Sequence, residues 1–218
     1  MASLGVDNPS ATDRLRNDIL TGALPPGERL VELQLAERYQ IGRAAIRAAL
    51  LELDSEGLVR REANRGATVR RISLSDAIEI TQARGALEGL VARLAAERAT
   101  DQERTDLQAL VAAMEVAVAN DARLEYANLN RALHRTLLQI ARHEVATDLV
   151  ANLRNRSAHH QYRLATVTGR ANESLGQHRA IVAAIVVGDG DAAEAAMRAH
   201  LESVADVLRH WEELGVPV

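Results

Sequence analysis

The chain has 218 residues, enough for two domains that each bury a hydrophobic core, and a formal net charge of −4. It has no Cys, which excludes disulfides and thiolate metal sites, and no apolar run approaches the roughly 20 residues that span a bilayer. Residues 1–10 lack the basic start and apolar stretch of a secretory signal, so we expect a cytoplasmic protein that does not bind membranes.

The first 72 residues differ in charge from the remainder. They contain 11 Arg against 10 acidic residues, whereas residues 73–218 contain 15 Arg against 20 acidic residues. Five of the first 11 arginines fall between residues 60 and 71, with Glu62 as the acid among them. A basic patch of this kind can bind phosphates, although a solvated arginine cluster gives the same pattern.

Three short helices are predicted in this first part, over residues 10–20, 31–39 and 43–55. Ser10 is expected to cap the first helix, and the two prolines and two glycines within residues 21–27 form the turn that ends it. Aliphatic residues at helical spacing give each helix one buried face. The composition supports this, because an aromatic content of 2% with no Phe favours aliphatic helices over sheets.

Two short strands are predicted after the third helix, over residues 58–61 and 67–70. The segment Asn64-Arg65-Gly66 between them is a plausible hairpin turn. The order of helix, helix, three-residue turn, helix and hairpin is that of a winged helix-turn-helix. We therefore predict a DNA-binding domain over residues 1–72.

The third helix is the candidate for the major groove. Arg43 and Arg47 are four residues apart, so they project from one face near the helix N-terminus, the end that approaches base edges. A bidentate contact between arginine and guanine contributes about 1–3 kcal/mol of discrimination. The alternative is that both are ordinary solvent-facing helix arginines.

The first domain resembles the GntR family of bacterial transcriptional regulators. The resemblance covers nearly the whole domain in order, at Leu30, Glu32 and segments 19–27, 35–38, 41–43, 47–50, 56–59 and 64–69. It implies that Arg43 and Arg47 contact a double-stranded DNA operator from the recognition helix. It also implies that Arg65 and Gly66 form the tip of the wing, which enters the minor groove.

The recognition helix departs from the usual family run Ser-Arg-Thr-Pro-Val-Arg-Glu-Ala-Leu. Gly42 and Ala44 replace the two hydroxyl residues of this run, Ala48 replaces its carboxylate, and Ala45 replaces its proline. Small polar contacts there help to select bases or phosphates, so the operator sequence is left open.

From residue 73 onward the pattern is helical throughout. Six helices are predicted, over residues 75–98, 100–119, 121–141, 145–165, 173–187 and 191–213. Their short connections predict an antiparallel six-helix bundle over residues 73–218. The predicted fold class is therefore mainly α, with an N-terminal winged helix-turn-helix and a C-terminal bundle.

Four polar residues of the bundle are candidates for one site. Asn130 and His134 are four residues apart and so point the same way from one helix, while His178 and His200 lie on the two later helices. A bundle interior can bring side chains from several helices to one ion. The alternative is that each histidine is a surface residue or a hydrogen-bonded core residue.

The second half resembles the ligand-binding FCD domain of the FadR-like branch of GntR proteins, on segments 83–88, 130–134, 177–182 and 188–189. Six helices point to the VanR-like subgroup. In metal-binding members, an Asp or Asn four residues before a His forms the site together with two later His. The resemblance therefore implies that Asn130, His134, His178 and His200 bind a divalent metal ion. Three imidazoles and one oxygen suit Zn or Ni and leave a position for solvent or ligand.

Two residues of this half bear on the binding of an effector. Asn130 supplies a neutral amide oxygen in place of a carboxylate, which weakens metal binding and leaves a more positive site that favours an anion. In the resembling family, the arginine equivalent to Arg84 lies in the pocket and can hold a carboxylate, for which a guanidinium is well shaped. The alternative for Arg84 is a salt bridge with Glu88, four residues later.

These observations predict a homodimeric transcriptional regulator, a repressor, and not an enzyme. Two copies would place their recognition helices on a two-fold-related operator. A small organic acid would bind the metal and Arg84, and would favour one arrangement of the DNA-binding domains. Two alternatives are a metal-dependent hydrolase or isomerase that uses the histidines, and a metal-free bundle that serves only for effector binding or dimerisation.

Overall fold

The chain changes character after Ile72, where short helices and strands give way to long helices. A computed structural model of the protein describes residues 10–62, 66–157, 160, 164, 167 and 169–211. The contacts divide the chain into two units, Met1–Ile72 and Ser73–Val218. Within the described ranges, no helix has both the length and the apolar character needed to cross a membrane.

Three helices form the core of the first unit: α1 (Ala11–Thr21), α2 (Glu32–Tyr39) and α3 (Arg43–Ser55). The Ser10 side chain caps α1 by accepting a hydrogen bond from the Asp13 backbone N–H at 3.1 Å. Helix α3 packs against both other helices. Aliphatic side chains at helical spacing on α1 and α3 are buried, namely Leu15, Ile19, Ile46, Leu50 and Leu53.

A three-stranded antiparallel sheet completes this unit, with strands β1 (Arg29–Leu30), β2 (Val59–Glu62) and β3 (Gly66–Val69) in the order β1-β3-β2. Val59 lies opposite Val69, and both side chains are buried. The hairpin strands were predicted from sequence, whereas β1 was not. A strand of two residues beside a Pro-Gly turn is too short to show the alternation that identifies strands.

Gly66 begins β3 with φ +87°, a left-handed conformation that strains any residue with a Cβ. A Cβ at this position would also lie 2.9 Å from the carbonyl oxygen of Leu30, on β1. Gly22 has a similar φ of +82° but nothing within 4 Å of its Cβ position. Both the backbone conformation and the neighbouring strand therefore require a glycine at position 66.

We expect Gly66→Ala to destabilise the first unit by about 2–4 kcal/mol, because the left-handed strain and the contact with Leu30 act together. Gly22→Ala is the matched control, because it carries the strain alone, and should cost about 1–2 kcal/mol. Hydrogen exchange of the α1 and α3 amides in the full chain measures both. Equal losses of protection in the two variants would show that the contact with Leu30 contributes nothing.

The second unit contains six helices among its described residues. They are α4 (Leu74–Arg98), α5 (Asp101–Ala119), α6 (Arg123–Ala141), α7 (Glu144–Arg156), α8 (Arg170–Val187) and α9 (Gly190–Arg209). The predicted capping box at Thr100 and Glu103 is present at the start of α5. Helix α7 ends at Arg156, nine residues before the predicted end, because the apolar spacing in that segment did not mark its C-terminus. The mainly helical fold class is confirmed.

Helix α4 is the central element of this unit and packs against α6, α7, α8 and α9. Its contact with α9 is close, because a Cβ on Gly89 would lie 2.9 Å from Cγ of Arg198 on α9. Most buried positions of α4 are Ala, Gly or aliphatic residues, but Arg84 and Glu88 are also buried. The packing thus carries two charged side chains into the interior, where α6, α8 and α9 converge.

Candidate nucleic-acid interface and candidate metal centre

The first half of α3 presents a polar, solvent-exposed face. Arg43 and Arg47 are exposed, and the small residues Ala44 and Ala48 beside them are exposed as well. Ile46, on the opposite side of the helix, is fully buried. Both arginines therefore point into solvent from the N-terminal end, as a helix that reads a groove requires.

Arg47 is held by Glu32, the first residue of α2. Its Nε lies 3.0 Å from Glu32 Oε1 and its Nη2 lies 2.8 Å from Oε2, which makes a bidentate pair. The hydrogen bonds from Arg47 hold the pKa of Glu32 below its usual range, and the charges of Arg43 and Arg61 act in the same direction. Glu32 is thus an acid within a basic surface. The sequence does not indicate this role, because the two partners are 15 residues apart on different helices.

The wing is described only in part. Arg65, the predicted wing-tip residue, lies outside the described residues. Gly66 is the first residue of β3, and its conformation and its neighbour Leu30 explain why a glycine is required there. Arg60 and Arg61 are exposed on the adjacent strand β2, so the part of the wing that is described carries positive charge.

Three histidines meet inside the second unit, one each from α6, α8 and α9. His134, His178 and His200 are at most 4% exposed, and each offers a ligand atom within 4.8 Å of the other two. The ring centroids of His178 and His200 are 4.5 Å apart. The three histidines predicted to share a site are therefore brought together by the fold.

An oxygen atom faces Nδ1 of each histidine. Nδ1 of His134 lies 2.7 Å from Oε2 of Glu88, and Nδ1 of His200 lies 2.8 Å from Oε1 of Gln177. Nδ1 of His178 lies 3.4 Å from the hydroxyl oxygen of Tyr126. When Nδ1 carries the proton and donates it to these oxygens, Nε2 of every ring keeps the lone pair that a metal ion needs.

The surroundings of the three rings favour their neutral form. Burial lowers the pKa of His134, and it lowers those of His178 and His200 well below their usual range. For His178 and His200 the neighbouring histidines act in the same direction. Neutral imidazole is the form that binds a metal ion, so no proton has to be removed on binding.

Two buried atoms on the helices that carry the histidines lack hydrogen-bond partners in the described part of the chain. They are Nε2 of His178 and Oδ1 of Asn130, which lies one turn before His134 on α6. A buried polar atom without a partner costs stability, and such atoms mark places where an ion or ligand supplies the missing contact. The three clustered imidazole nitrogens fit a divalent ion such as Zn²⁺ or Ni²⁺.

Glu88 joins the histidines to a buried charge network. One oxygen accepts a hydrogen bond from Arg84 Nε at 2.7 Å, and the other lies 2.7 Å from His134 Nδ1 and 3.3 Å from Arg154 Nη1. Burial alone would raise the pKa of Glu88, but the charges of Arg84 and Arg154 and the hydrogen bond with His134 hold it well below its usual range. The salt bridge considered for Arg84 is therefore present, in the interior and not at the surface. Arg154 was not identified from sequence, because no local spacing links α7 to α4.

Each of the two units matches a known protein family. Residues 9–69 match the family described as bacterial regulatory proteins, gntR family, and residues 79–203 match the FCD domain. The HTH-type transcriptional repressor RspR of Escherichia coli (strain K12) is 29% identical over 195 residues, which cover 89% of this chain and 86% of that protein. The HTH-type transcriptional regulator LutR of Bacillus subtilis (strain 168) is 30% identical over 220 residues, covering 91% and 99%.

A similar fold is found among solved structures. McbR/YncC of Escherichia coli has a TM-score of 0.78 with 22% sequence identity, and the match covers 97% of this chain and 100% of that one. At this identity the likeness concerns the fold alone.

Proposed function

Because this chain belongs to the GntR family of bacterial regulatory proteins and carries an FCD domain, it is a DNA-binding transcriptional regulator, and we propose that it is a repressor whose helical unit binds a divalent metal ion and a small carboxylate effector. The observation that carries the proposal is the cluster of His134, His178 and His200, in which Nε2 of His178 has no hydrogen-bond partner among the described residues. Oδ1 of Asn130, one turn before His134, also has none there. The relatives are regulators and not enzymes, so the hydrolase or isomerase alternative is set aside.

The DNA contacts are assigned to the first unit. Arg43 and Arg47 would reach base edges in the major groove, and Arg65 and Gly66 would contact the minor groove from the wing. The exposure of Arg43 and Arg47 at the start of α3 supports this assignment. A homodimer would place two such helices on the two halves of a palindromic operator.

The metal ligands are assigned to Asn130, His134, His178 and His200, with Zn²⁺ or Ni²⁺ as the ion. When bound, the ion would supply an open coordination position for a carboxylate group. Glu88 and Gln177 would orient two of the imidazoles by accepting their Nδ1 protons. Arg84, beside Glu88, is the proposed partner of the effector carboxylate, through the guanidinium nitrogens that do not bind Glu88.

The regulatory step requires the acid to bind one state of the dimer more tightly than the other. Only that difference in affinity can change the occupancy of the operator. The acid would therefore release the repressor if it binds better to the arrangement that does not fit the two half-sites.

Two measurements on the full chain test the proposal. Elemental analysis after dialysis against zinc should give a stoichiometric amount of zinc per chain. Fluorescence anisotropy with a palindromic fragment from beside its own gene should show salt-sensitive, sequence-selective binding that a carboxylic acid weakens. Selective DNA binding without stoichiometric metal would favour the alternative in which the bundle acts without an ion.

Glu32→Gln is expected to make DNA binding stronger and less selective. The change frees Arg47 from its bidentate pair and removes a negative charge from the basic surface. The freed Arg47 could then pair with a phosphate in any DNA as well as reach a base edge in the operator, so the slope of log K against log salt should steepen by about 0.9. Anisotropy titrations on operator and unrelated DNA at several salt concentrations measure both effects.

Glu37→Gln is the matched control for this variant. Glu37 is an exposed acid on the same helix, and the substitution removes the same charge without an ion pair to Arg47. An equal change of slope in both variants would show that net charge alone, and not the pair with Arg47, determines the result.

A further inference from the structure

Arg170, the first residue of α8, carries an unused hydrogen-bond donor inside the second unit. The residue is only 6% exposed, yet its Nη2 makes no hydrogen bond with any described residue. Its other terminal nitrogen is occupied, because Nη1 donates to Ser203 Oγ at 2.7 Å and lies 3.1 Å from Oε2 of Glu173. A buried guanidinium nitrogen without an acceptor is costly, unless a bound molecule supplies one.

This guanidinium belongs to the surroundings of the histidine cluster. Burial is the main cause of the low pKa values of His178 and His200, and the charge of Arg170 adds to it for both. The same charge opposes the rise in the pKa of Tyr126, whose hydroxyl faces His178. Arg170 is therefore within electrostatic range of three groups that surround the proposed ion.

A hydrogen-bonded path also connects Arg170 with a metal ligand. Glu173 pairs with Arg170 and accepts a hydrogen bond from Gln177 Nε2 at 3.4 Å. Oε1 of Gln177 in turn faces Nδ1 of His200 at 2.8 Å. Glu173 is half-exposed and also accepts a hydrogen bond from Ser203 Oγ at 2.6 Å, so water and Ser203 compete with Arg170 for this carboxylate.

From these contacts we infer that Arg170 anchors the effector, with Nη2 donating a hydrogen bond to a carboxylate oxygen of the bound acid. The inference rests on the proposed function, since it names a residue that holds the effector. A carboxylate fits because one acceptor oxygen satisfies the single free nitrogen. Arg170 and Arg84 then act as two separate cations near the histidines, one joined to His200 through Glu173 and Gln177 and the other to His134 through Glu88.

The test is a titration of the full chain with a panel of carboxylates from acetate to citrate, at constant ionic strength, with thermal unfolding as the readout. Inorganic phosphate is the non-carboxylate probe. We expect Arg170→Gln to weaken binding of the best carboxylate by about 10- to 100-fold. We expect zinc binding to remain within about threefold of the wild type, since Arg170 is not a ligand of the ion.

Glu173→Gln distinguishes an anchor from a merely structural arginine. That variant breaks the ion pair but leaves Arg170 in place, so it should bind the carboxylate at least as tightly as the wild type. A loss as large as that of Arg170→Gln would overturn the inference, because the ion pair alone would then explain both. Unchanged binding in Arg170→Gln, or tighter binding of phosphate than of every carboxylate, would also overturn it.

Arg170→Lys keeps a cation beside Glu173 but has a single nitrogen. It should lose part of the carboxylate affinity, and it can replace Arg170→Gln if that variant does not fold.

Titration of the protein without zinc separates the inference from the proposed function. If Arg170→Gln weakens carboxylate binding without zinc as well, the result supports Arg170 as the anchor even if elemental analysis shows no metal. If Arg170→Gln does not weaken carboxylate binding either with or without zinc, the inference is overturned.

Discussion

Glu88→Gln is expected to lower the free energy of unfolding of the second unit by about 3–5 kcal/mol. The substitution keeps the shape of the side chain but removes a buried carboxylate that faces Arg84, Arg154 and His134. Arg84 would remain 3% exposed without this counter-charge. Urea unfolding followed by the fluorescence of Trp211 measures the loss, because this single Trp lies buried in the second unit.

Glu202→Gln is the matched control for that prediction. Glu202 forms an exposed ion pair with Arg209 at 2.8 Å on α9, and such pairs contribute little because water screens them. We expect a change within about 0.5 kcal/mol. Losses of similar size in the two variants would contradict the view that Glu88 is the centre of a buried charge network.

The pH dependence of the Glu88 effect has a definite sign. The pKa of this carboxyl is held well below its usual range in the folded protein, so its contribution to stability is complete above the unfolded pKa of about 4.3. The contribution is lost as pH falls through the lowered folded pKa. We expect the stability difference between wild type and Glu88→Gln to be constant from pH 6 to 8 and to shrink below about pH 4. Urea unfolding across this range measures it, and a difference that grows on acidification would contradict the assignment.

His178→Ala is expected to abolish the stabilisation of the second unit by zinc. In the wild type, zinc at about 100 times its Kd should add about 2.7 kcal/mol. Loss of a ligand should weaken binding more than about 100-fold, since loss of an outer-shell partner already costs 10–100-fold. Each variant is compared with itself, with and without zinc, so the cost of the cavity left by the ring cancels.

Two further variants check that the effect belongs to the cluster. His210→Ala removes an exposed histidine whose Nδ1 lies 2.9 Å from the Asp206 carbonyl oxygen, and it should leave the zinc response unchanged. Asn130→Asp should strengthen zinc binding, because a carboxylate is a better ligand than an amide oxygen. Weaker zinc binding in Asn130→Asp would show that residue 130 is not a ligand.

The sequence predicted those features of the site that depend on residues of one helix face or on one local spacing. The four-residue steps from Arg43 to Arg47 and from Asn130 to His134 fix which side chains share a face, whatever the tertiary packing. The meeting of His134 with His178 and His200 required the resemblance as well, because spacing alone cannot say which faces of three helices converge.

Contacts between distant elements could not be predicted in this way. Three features depend on how helices cross, which no local sequence period shows. They are the pair of Arg47 with Glu32, the approach of Arg154 to Glu88, and Nη2 of Arg170, which has no acceptor among the described residues. Strand β1 was missed for a related reason, since two residues acquire strand geometry only by pairing with β3.

The unsatisfied atoms at Asn130 and His178 also bear on how long a molecule survives in the cell. If an ion satisfies them, copies without it open more often and are cleaved faster by proteases that attack opened chains. Metal supply would then set the quantity of the regulator as well as its ligand response, and pulse-chase turnover with and without a chelator would reveal it.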